Sequence, residues 1–257
     1  MAEEKSLKDI QSSEELQELL SRKGRNHKYY KFYTGKIDVI ENILLTHALY
    51  LSDGNNCNDL NDKERFNSAE SDDRRFGMCM CSTMSENIAM WYMYSGKDGA
   101  MIDFSADVIK SCLQAEKINL GHFENNRFVL EKTFDRSQFS LEISDIVYFG
   151  DAKKGNGKYL KLRDKGIEVS SDIIQNLHIY KKELPWSYEN ECRLTVKCRK
   201  DLFADYSTID TVKIEFDEKL AETLKNRIFL RPGSQTKGSY RRSKMDTSVN
   251  IVKWPEI

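Results

Sequence analysis

The chain has 257 residues, of which 39% are hydrophobic and 32% charged, with a formal net charge of −1. This composition argues against a disordered chain or a membrane-spanning protein, and the near-zero charge creates no overall field that would attract nucleic acid. The six cysteines contain no C-x-x-C pair, so neither a zinc site nor a disulfide scaffold is expected. The charged segment Met1–Gln17 lacks the apolar core of a signal peptide, and we expect a cytoplasmic protein without a membrane partner.

The N-terminal part of the chain alternates helical and extended patterns. Ser12-Ser13-Glu14-Glu15 is a capping box, which predicts a short helix over Leu7–Leu20. The aromatic run Lys28–Tyr33 predicts a strand, Ile37–Leu45 carries apolar residues at helical spacing, and Leu49–Leu51 predicts a brief strand.

Turn-forming residues dominate the next segment. Ser52–Asn61 is predicted to be a loop, and the highly polar stretch Asn61–Arg75 is predicted to be mobile. Asn58 and Asp59, with Asp62 just after them, carry short polar side chains that can hydrogen-bond the backbone and brace a turn. Their spacing does not complete a calcium-binding loop, so bracing is the simpler interpretation.

The middle of the chain resumes a regular pattern. Phe76–Ser82 predicts a buried strand, in which Cys79 and Cys81 share a face and are interpreted as small core residues. A helix that begins near Ser85 carries an aromatic and methionine stripe over Ile88–Tyr94, which is typical of core packing. The next elements are the strand Ala100–Phe104, the cap Ser105 and the helix Asp107–Gln114.

The C-terminal part adds further elements of both kinds. Glu124–Phe139 is interpreted as an insertion that is either β-rich or helical. The predicted strands are Ile146–Phe149, Val212–Phe216, Ile228–Leu230 and Val249–Trp254, and the predicted helices are Ile167–His178 and Glu218–Arg227. Helices and strands do not alternate strictly, so we expect one mixed α+β domain over residues 28–257, preceded by an N-terminal helical arm over residues 1–27.

The most informative stretch is Tyr188–Val196, which we predict to be a single strand. Side chains two apart share a face of a strand, so Glu189, Glu191 and Arg193 would line up on one side. Two neighbouring carboxylates repel each other unless a cation, a ligand or a metal lies nearby, and Arg193 would supply a cation. The alternative is an ordinary solvated strand face with one ion pair.

A set of motifs resembles a bacterial and phage family known only as domain of unknown function two-nine-seven-one. The motifs are Tyr30-Lys31-Phe32, Asn42-Ile43-Leu44, Leu49-Tyr50-Leu51-Ser52, Asn58-Asp59, Cys81-Ser82, Asn87, Met90-Trp91 with Tyr94, Gly99, Ile102, Phe104, Val147-Tyr148, and Trp186-x-Tyr188-Glu189-x-Glu191-x-Arg193. Family members typically carry Pro after Asn-Asp, where this chain has Leu60. The resemblance implies prokaryotic surroundings, often with defence systems or mobile elements.

A more distant resemblance is to the ADP-ribosyltransferase fold, whose enzymes carry three strand-borne elements. The counterparts here would be Tyr30-Lys31 on the first strand, Ser82-Thr83 at the end of a second, and Glu189-Asn190-Glu191 on a third. This resemblance implies a central split sheet, antiparallel or mixed, in a single α+β domain. The Arg or His that such enzymes place on the first strand is not clearly present, because Arg25 and His27 precede that strand.

The resemblance implies NAD as the substrate. Glu191 would hold a ribose hydroxyl and stabilise positive charge, while Glu189 would orient or deprotonate the acceptor, with Arg193 beside them. The implied NAD-binding residues are Tyr30, Lys31, Ser82, Thr83, Trp91 and Tyr94. The implied substrate-binding residues are Trp186, Tyr188, Asn58 and Asp59.

Three functions therefore stay open. The first is an NAD-consuming ADP-ribosyltransferase or NAD glycohydrolase of toxin or anti-phage defence type, with a protein or nucleic-acid acceptor and an inhibitor, antitoxin or other defence-system partner. The second is a metal-dependent nuclease built on Asp59, Asp62, Glu189 and Glu191. The third is a non-enzymatic interaction module in which the charged residues form a structural network.

Overall fold

The structure is a computed structural model. It describes residue 12, residues 14–15, 28–34, 37–66, 71–82, 88–96, 99–149, 179–203, 208–231 and 251–253. Thr83, the predicted helix Ile167–His178 and most of the N-terminal arm lie outside the described residues. Within that arm, the Glu15 amide donates to Ser12 Oγ at 3.1 Å, as the capping box predicts.

Five α-helices and thirteen strands are described. The helices are α1 (Ile37–Thr46), α2 (Leu60–Phe66), α3 (Ile88–Tyr94), α4 (Ala106–Leu113) and α5 (Glu218–Leu224). The strands are β1 (Tyr29–Tyr33), β2 (Ala48–Ser52), β3 (Asp73–Cys81), β4 (Ala100–Phe104), β5 (Lys117–Glu124), β6 (Arg127–Asp135), β7 (Phe139–Asp145), β8 (Val147–Phe149), β9 (Lys181–Glu183), β10 (Glu191–Arg199), β11 (Thr211–Glu215), β12 (Ile228–Leu230) and β13 (Ile251–Lys253). Short 3₁₀ helices cover Arg136–Gln138, Leu184–Glu189 and Lys200–Phe203.

Eleven of these strands form one open, mostly antiparallel sheet, and β8 pairs with β9 in a separate parallel pair. The main path runs β13-β12-β4-β1-β3-β2-β11-β5-β6, and β10 and β7 attach to it through β3. Most neighbours along this path are distant in sequence. The fold is therefore a sheet-rich α+β fold with few helices.

The sheet forks at β3, which has three strand neighbours. One edge of β3 pairs with β10 along all nine of its residues. At the other edge, Tyr30 of β1 lies opposite Cys81, and Ser52 of β2 lies opposite Gly77. Because a strand has only two edges, β1 and β2 share this second edge and separate from each other between the two contact points.

The main apolar core covers one face of this forked sheet. The side chains of this face include Leu194 and Val196 of β10 and Phe76 of β3. Leu194 and Val196 share the face because side chains two residues apart lie on the same side of a strand. Helices α1 and α4 cover them with Ile43 and Val108, which are almost fully buried. The opposite face of β3 and β10 carries the polar residues discussed below.

Several predicted elements are confirmed with small shifts of their ends. The predicted strands that contain Tyr30, Phe76, Met101 and Val212 form, as do the helices now called α1, α3, α4 and α5. Ser105 caps α4, because its side chain accepts a hydrogen bond from the Val108 amide at 3.3 Å. The undecided segment Glu124–Phe139 is β-structure with a short 3₁₀ turn at its end. None of the described helices is long and apolar enough to cross a membrane.

The predicted single strand Tyr188–Val196 is wrong in its first part. Leu184–Glu189 forms a 3₁₀ helix, and β10 begins only at Glu191. Asn190 between them has φ of 41°, a left-handed conformation that Asn tolerates better than most residues. Glu189 and Glu191 therefore approach their common neighbours from two different elements.

The predicted mobile loop Asn61–Arg75 is also corrected. Its first part belongs to α2, and β3 begins at Asp73. Asp62, Arg65 and Phe66 of α2 are each at least 94% buried. The polar composition misled the prediction, because these charged side chains find partners inside the protein instead of water.

Candidate functional site

A cavity of about 390 Å³ lies where the sheet forks. One wall is apolar and comes from β1 and α3, with Tyr30, Phe32 and Met90 among its residues. The loop between β2 and α2 contributes Asn56, Cys57 and Asn58, and the acidic end is formed by Asp62, Glu189 and Glu191 together with Lys182. A volume in this range is typical of small-molecule sites.

Helix α2 is held against β3 by the ring of Phe66. A Cβ atom added to Gly77 would lie 2.5 Å from this ring, and one added to Gly54 would lie 2.6 Å from it. Gly77 in the middle of a strand is therefore explained by the close approach of Phe66. This contact places Asp62, one turn earlier on α2, next to the polar face of β10.

Lys182 of β9 lies at the centre of three carboxylates. Its Nζ atom is 2.6 Å from Glu189 Oε2, 2.8 Å from Glu191 Oε2 and 3.2 Å from Asp62 Oδ2. Burial would lower the pKa of Lys182, but Glu191 and Asp62 outweigh burial and hold that pKa above its ordinary value. Lys182 is therefore a permanent cation at the acidic end of the pocket.

Arg193 is the second cation of this cluster and is fully buried. Its Nε donates to Glu191 Oε1, one terminal nitrogen donates to both Asp62 oxygens at 2.7 Å, and the other donates to the Ile179 carbonyl at 2.6 Å. Its guanidinium also lies 5.5 Å from the centre of the Phe66 ring. Every nitrogen of Arg193 is thus engaged.

Arg65 extends the cluster to Asp59. Its terminal nitrogen is 2.9 Å from Asp62 and 3.4 Å from Asp59. Four carboxylates and three cations of the described residues are connected in this way, which leaves one formal negative charge in excess. The members are Asp59, Asp62, Glu189, Glu191, Arg65, Lys182 and Arg193, and we call them the ionic cluster.

The pKa values of the two glutamates in the ionic cluster are shifted in opposite directions. Burial, followed by the neighbouring Glu191 charge, raises the pKa of Glu189 above its ordinary value. Burial acts on Glu191 in the same direction, but Arg193 and Lys182 outweigh it and hold the pKa of Glu191 well below the usual range. Carboxyl groups whose pKa values are pushed apart in this way are typical of an acid–base pair.

Tyr94 of α3 connects the apolar wall of the pocket to this pair. Its hydroxyl donates a hydrogen bond to Glu189 Oε1, while Lys182 occupies Oε2 of the same carboxylate. Burial and the bond to Glu189 raise the pKa of the Tyr94 hydroxyl, so it stays a donor. Both oxygens of Glu189 are therefore fixed in position.

Comparison with known proteins now identifies part of the chain. Residues 90–194 match the model of a family described as "Protein of unknown function (DUF2971)". This region is therefore similar to the DUF2971 family. The resemblance expected from the motifs is thereby confirmed for these residues. Neither the curated proteins nor the solved structures yield a match to the chain.

The DUF2971 region contains part of the pocket and part of the ionic cluster. Lys182, Glu189, Glu191 and Arg193 lie inside it, whereas Asp62 lies outside. The pocket is therefore completed by the preceding segments of the chain, which supply α2, β1 and all of β3.

The predicted NAD-binding residues divide into two groups. Tyr30, Lys31 and Tyr94 line the pocket. Trp91, inside the DUF2971 region, is buried behind the pocket wall, where its ring meets that of Phe32 edge-on at 4.9 Å. Ser82 does not line the pocket; its amide and hydroxyl donate to the Asn190 carbonyl at 2.7 and 2.8 Å, which ties β3 to the start of β10.

The predicted substrate-binding residues also separate. Asn58 lines the pocket, whereas Asp59 is buried in the ionic cluster next to Arg65. Trp186 and Tyr188 lie on the 3₁₀ helix before Glu189, with their ring centres 6.2 Å apart. The Lys182 ammonium lies 5.1 Å from the Trp186 ring centre, so Trp186 packs on the cluster from outside the pocket.

Some site residues carry no signal in the sequence. Lys182 follows another lysine, and only the direction of its side chain on β9 makes it part of the site. Cys79, predicted to be a core residue, is instead partly exposed and lines the pocket. Pro185 in the first turn of the 3₁₀ helix is the signal that could have revealed the interrupted strand.

Proposed function

We propose that this pocket binds NAD and that its carboxylates assist cleavage of the bond between nicotinamide and ribose. The observation that carries the proposal is the row Tyr30–Cys81–Glu191, in which three residues from distant parts of the chain lie opposite one another on neighbouring strands β1, β3 and β10. Two of the three elements on which the resemblance to ADP-ribosyltransferases rests, Tyr30-Lys31 and Glu189-Asn190-Glu191, thus flank the end of β3 at the pocket, and Ser82 follows directly after that strand end.

The charge of the ionic cluster supports this chemistry. Cleavage of the C1′–N bond passes through an oxocarbenium-like state, in which positive charge develops on the ribose. A buried pocket end with one surplus negative charge stabilises such a charge far better than bulk solvent would. Glu191, which stays ionised, is the carboxylate suited to this role.

Glu189 is suited to the proton transfer. Its raised pKa brings it closer to working pH, where a group can both accept and release a proton. We propose that Glu189 takes the proton of the attacking hydroxyl, which belongs either to water or to an acceptor molecule. In the first case the protein is an NAD glycohydrolase, and in the second it is an ADP-ribosyltransferase.

The remaining wall fits a nucleotide. Tyr30 and Phe32 present aromatic surface on which a planar base can pack, and Lys31 is the cation that β1 contributes to the pocket. We propose that Lys31 serves where related enzymes carry Arg or His, and that the forked sheet is related to the ADP-ribosyltransferase fold. In the surroundings that the resemblance implies, such an activity suits a toxin or an anti-phage effector.

The test is NAD turnover by the purified chain, followed as release of nicotinamide and of ADP-ribose. Glu191→Gln should lower the rate about 10²–10³-fold, since it removes a charge that acts on the transition state. Glu189→Gln should lower it by a similar factor through the lost proton transfer. The matched control is Glu215→Gln, the same change at an exposed end of β11, which should turn over NAD like the wild type.

Melting temperatures of all variants are recorded with the rates. Activity lost in a variant that stays folded supports the proposal. No turnover by the wild type, combined with unfolding of the Glu191 variant, would instead support the interaction-module alternative. That alternative has one specific observation in its favour, namely that Arg193 is fully buried with all its nitrogens engaged, as in a purely structural cluster.

The nuclease alternative needs a divalent ion between the carboxylates. Asp62, Glu189 and Glu191 do converge, but the Lys182 ammonium occupies the space between them at 2.6–3.2 Å. Among the described residues, no group of three or more His, Cys, Asp or Glu side chains is arranged to hold a metal ion. The nuclease hypothesis therefore requires Lys182 to leave its position.

A further inference from the structure

The six cysteines of the chain differ sharply in exposure. All six lie among the described residues and all are free thiols. Four of them are buried, namely Cys81, Cys112, Cys192 and Cys198. The two that are partly exposed, Cys57 and Cys79, both line the pocket at the fork of the sheet.

The fold brings these two thiols together from different elements. The Cys57 amide donates to the Gly54 carbonyl at 3.0 Å, which closes a turn in the loop between β2 and α2. Gly54 lies against the Phe66 ring, and the same ring covers Gly77 of β3. Cys79 lies two residues beyond Gly77 on the same face of β3. The loop is thus held over the strand, and both cysteines line the same pocket.

The surroundings make Cys57 the more reactive thiol. The hydrogen bond from Cys79 holds the pKa of Cys57 below its ordinary value. Burial, in contrast, raises the pKa of both Cys112 and Cys198 to about 12. Since the thiolate is the species that reacts with oxidants, Cys57 is the first target and the buried cysteines are protected.

We propose that Cys57 and Cys79 form a peroxide-sensitive thiol pair that closes to a disulfide inside the pocket. The Cys57 thiolate attacks one oxygen of hydrogen peroxide, breaks the O–O bond and becomes a sulfenic acid, while the other oxygen leaves as hydroxide. The Cys79 sulfur then attacks the Cys57 sulfur, the S–O bond breaks and water leaves. Overall, two thiols lose two electrons and two protons, and one peroxide becomes two waters.

Oxidation has two local consequences at the site. Cys79 lies directly opposite Arg193 of the ionic cluster on the neighbouring strand, so a disulfide at Cys79 changes the surroundings of that cluster. The cross-link also ties the loop that carries Asn58 to β3. We expect the oxidised pocket to lose NAD turnover; this consequence rests on the proposed function, whereas the disulfide itself does not.

The experiment treats the folded wild-type chain with hydrogen peroxide and maps its thiols by non-reducing peptide mass spectrometry. The expected result is one intramolecular disulfide between Cys57 and Cys79, with the other four thiols reduced. In Cys57→Ser, Cys79 should stay reduced, whereas the matched control Cys112→Ser should form the disulfide like the wild type. The proposal is overturned if Cys57 proceeds to sulfinic acid with Cys79 reduced, if either thiol pairs elsewhere, or if both stay reduced.

A second measurement separates this proposal from the proposed function. NAD turnover by the wild type should be lost after peroxide in step with formation of the disulfide, and dithiothreitol should restore it as the disulfide is reduced. If the disulfide forms but no form of the protein cleaves NAD, the thiol pair stands and the proposed function fails. If NAD is cleaved but no disulfide forms, only the thiol pair is refuted.

Discussion

The two faces of the strand pair β3–β10 are both buried but are filled in opposite ways. One face packs Leu194, Val196 and Phe76 into the apolar core, where area removed from water is sufficient to account for stability. The other face buries Glu191 and Arg193 with the rest of the ionic cluster. Ion clusters of this kind are seldom more stabilising than apolar side chains of the same volume. The two faces therefore differ in how they respond to substitution, since removing one member of the ionic cluster leaves buried charges without a partner.

The largest expected effect on the free energy of unfolding comes from removing one cation of the ionic cluster. Arg193→Met leaves Asp62 and Glu191 buried without their main partner, and we expect a loss of about 3–5 kcal/mol in the free energy of unfolding, measured by urea denaturation. The matched control is Arg199→Met at the exposed end of the same strand, which should leave the unfolding midpoint unchanged. Equal midpoints for the two variants would contradict the structural role of Arg193.

A substitution on the apolar face provides the comparison with Arg193→Met. Leu194→Ala removes a fully buried side chain beside Arg193 in sequence, and we expect a loss of about 2–5 kcal/mol in the free energy of unfolding. NAD turnover per folded molecule should stay near the wild-type value, because Leu194 points away from the pocket. A specific loss of turnover in the folded variant would show that the two faces are not independent.

The junction between α2 and the polar face can be tested separately. Gly77→Ala places a Cβ atom 2.5 Å from the Phe66 ring, so the ring and α2 must shift, with an expected loss of about 1–3 kcal/mol. Phe66→Leu should cost stability alone but recover part of the loss when combined with Gly77→Ala. Strict additivity in this double-mutant cycle would exclude the proposed contact.

The smallest expected effect on stability is the pH dependence that arises from the carboxyl group of Glu189. Its pKa is higher in the folded protein than in the unfolded chain, so the folded state holds more protons between these two pKa values. The contribution of Glu189 to stability therefore falls as pH rises through that window. Glu189→Gln should remove this part of the pH dependence, measured as melting temperature against pH. Identical pH profiles for the variant and the wild type would show that the pKa of Glu189 is unperturbed.

Local sequence was sufficient to predict a helix or a strand wherever a pattern extends over several residues. Strand-favouring residues predicted the second half of β10, and apolar spacing predicted α1. The failures occur where a local signal is short. Asn125 and Asn126, both at positive φ, form the turn of the β5–β6 hairpin, and this Asn-Asn pair was the available signal in the undecided segment.

The sequence by itself determined the α+β class and the DUF2971 resemblance that the family model confirms, and it singled out Glu189, Glu191 and Arg193 as candidate site residues. These properties depend on residue types that are close together in the chain. Only the tertiary structure decided that Lys182 and Asp62 complete the ionic cluster and that Cys57 and Cys79 line the same pocket. The reason is that strand pairing and the packing of Phe66 on Gly77 bring these side chains together across long separations in sequence, for which no local pattern exists.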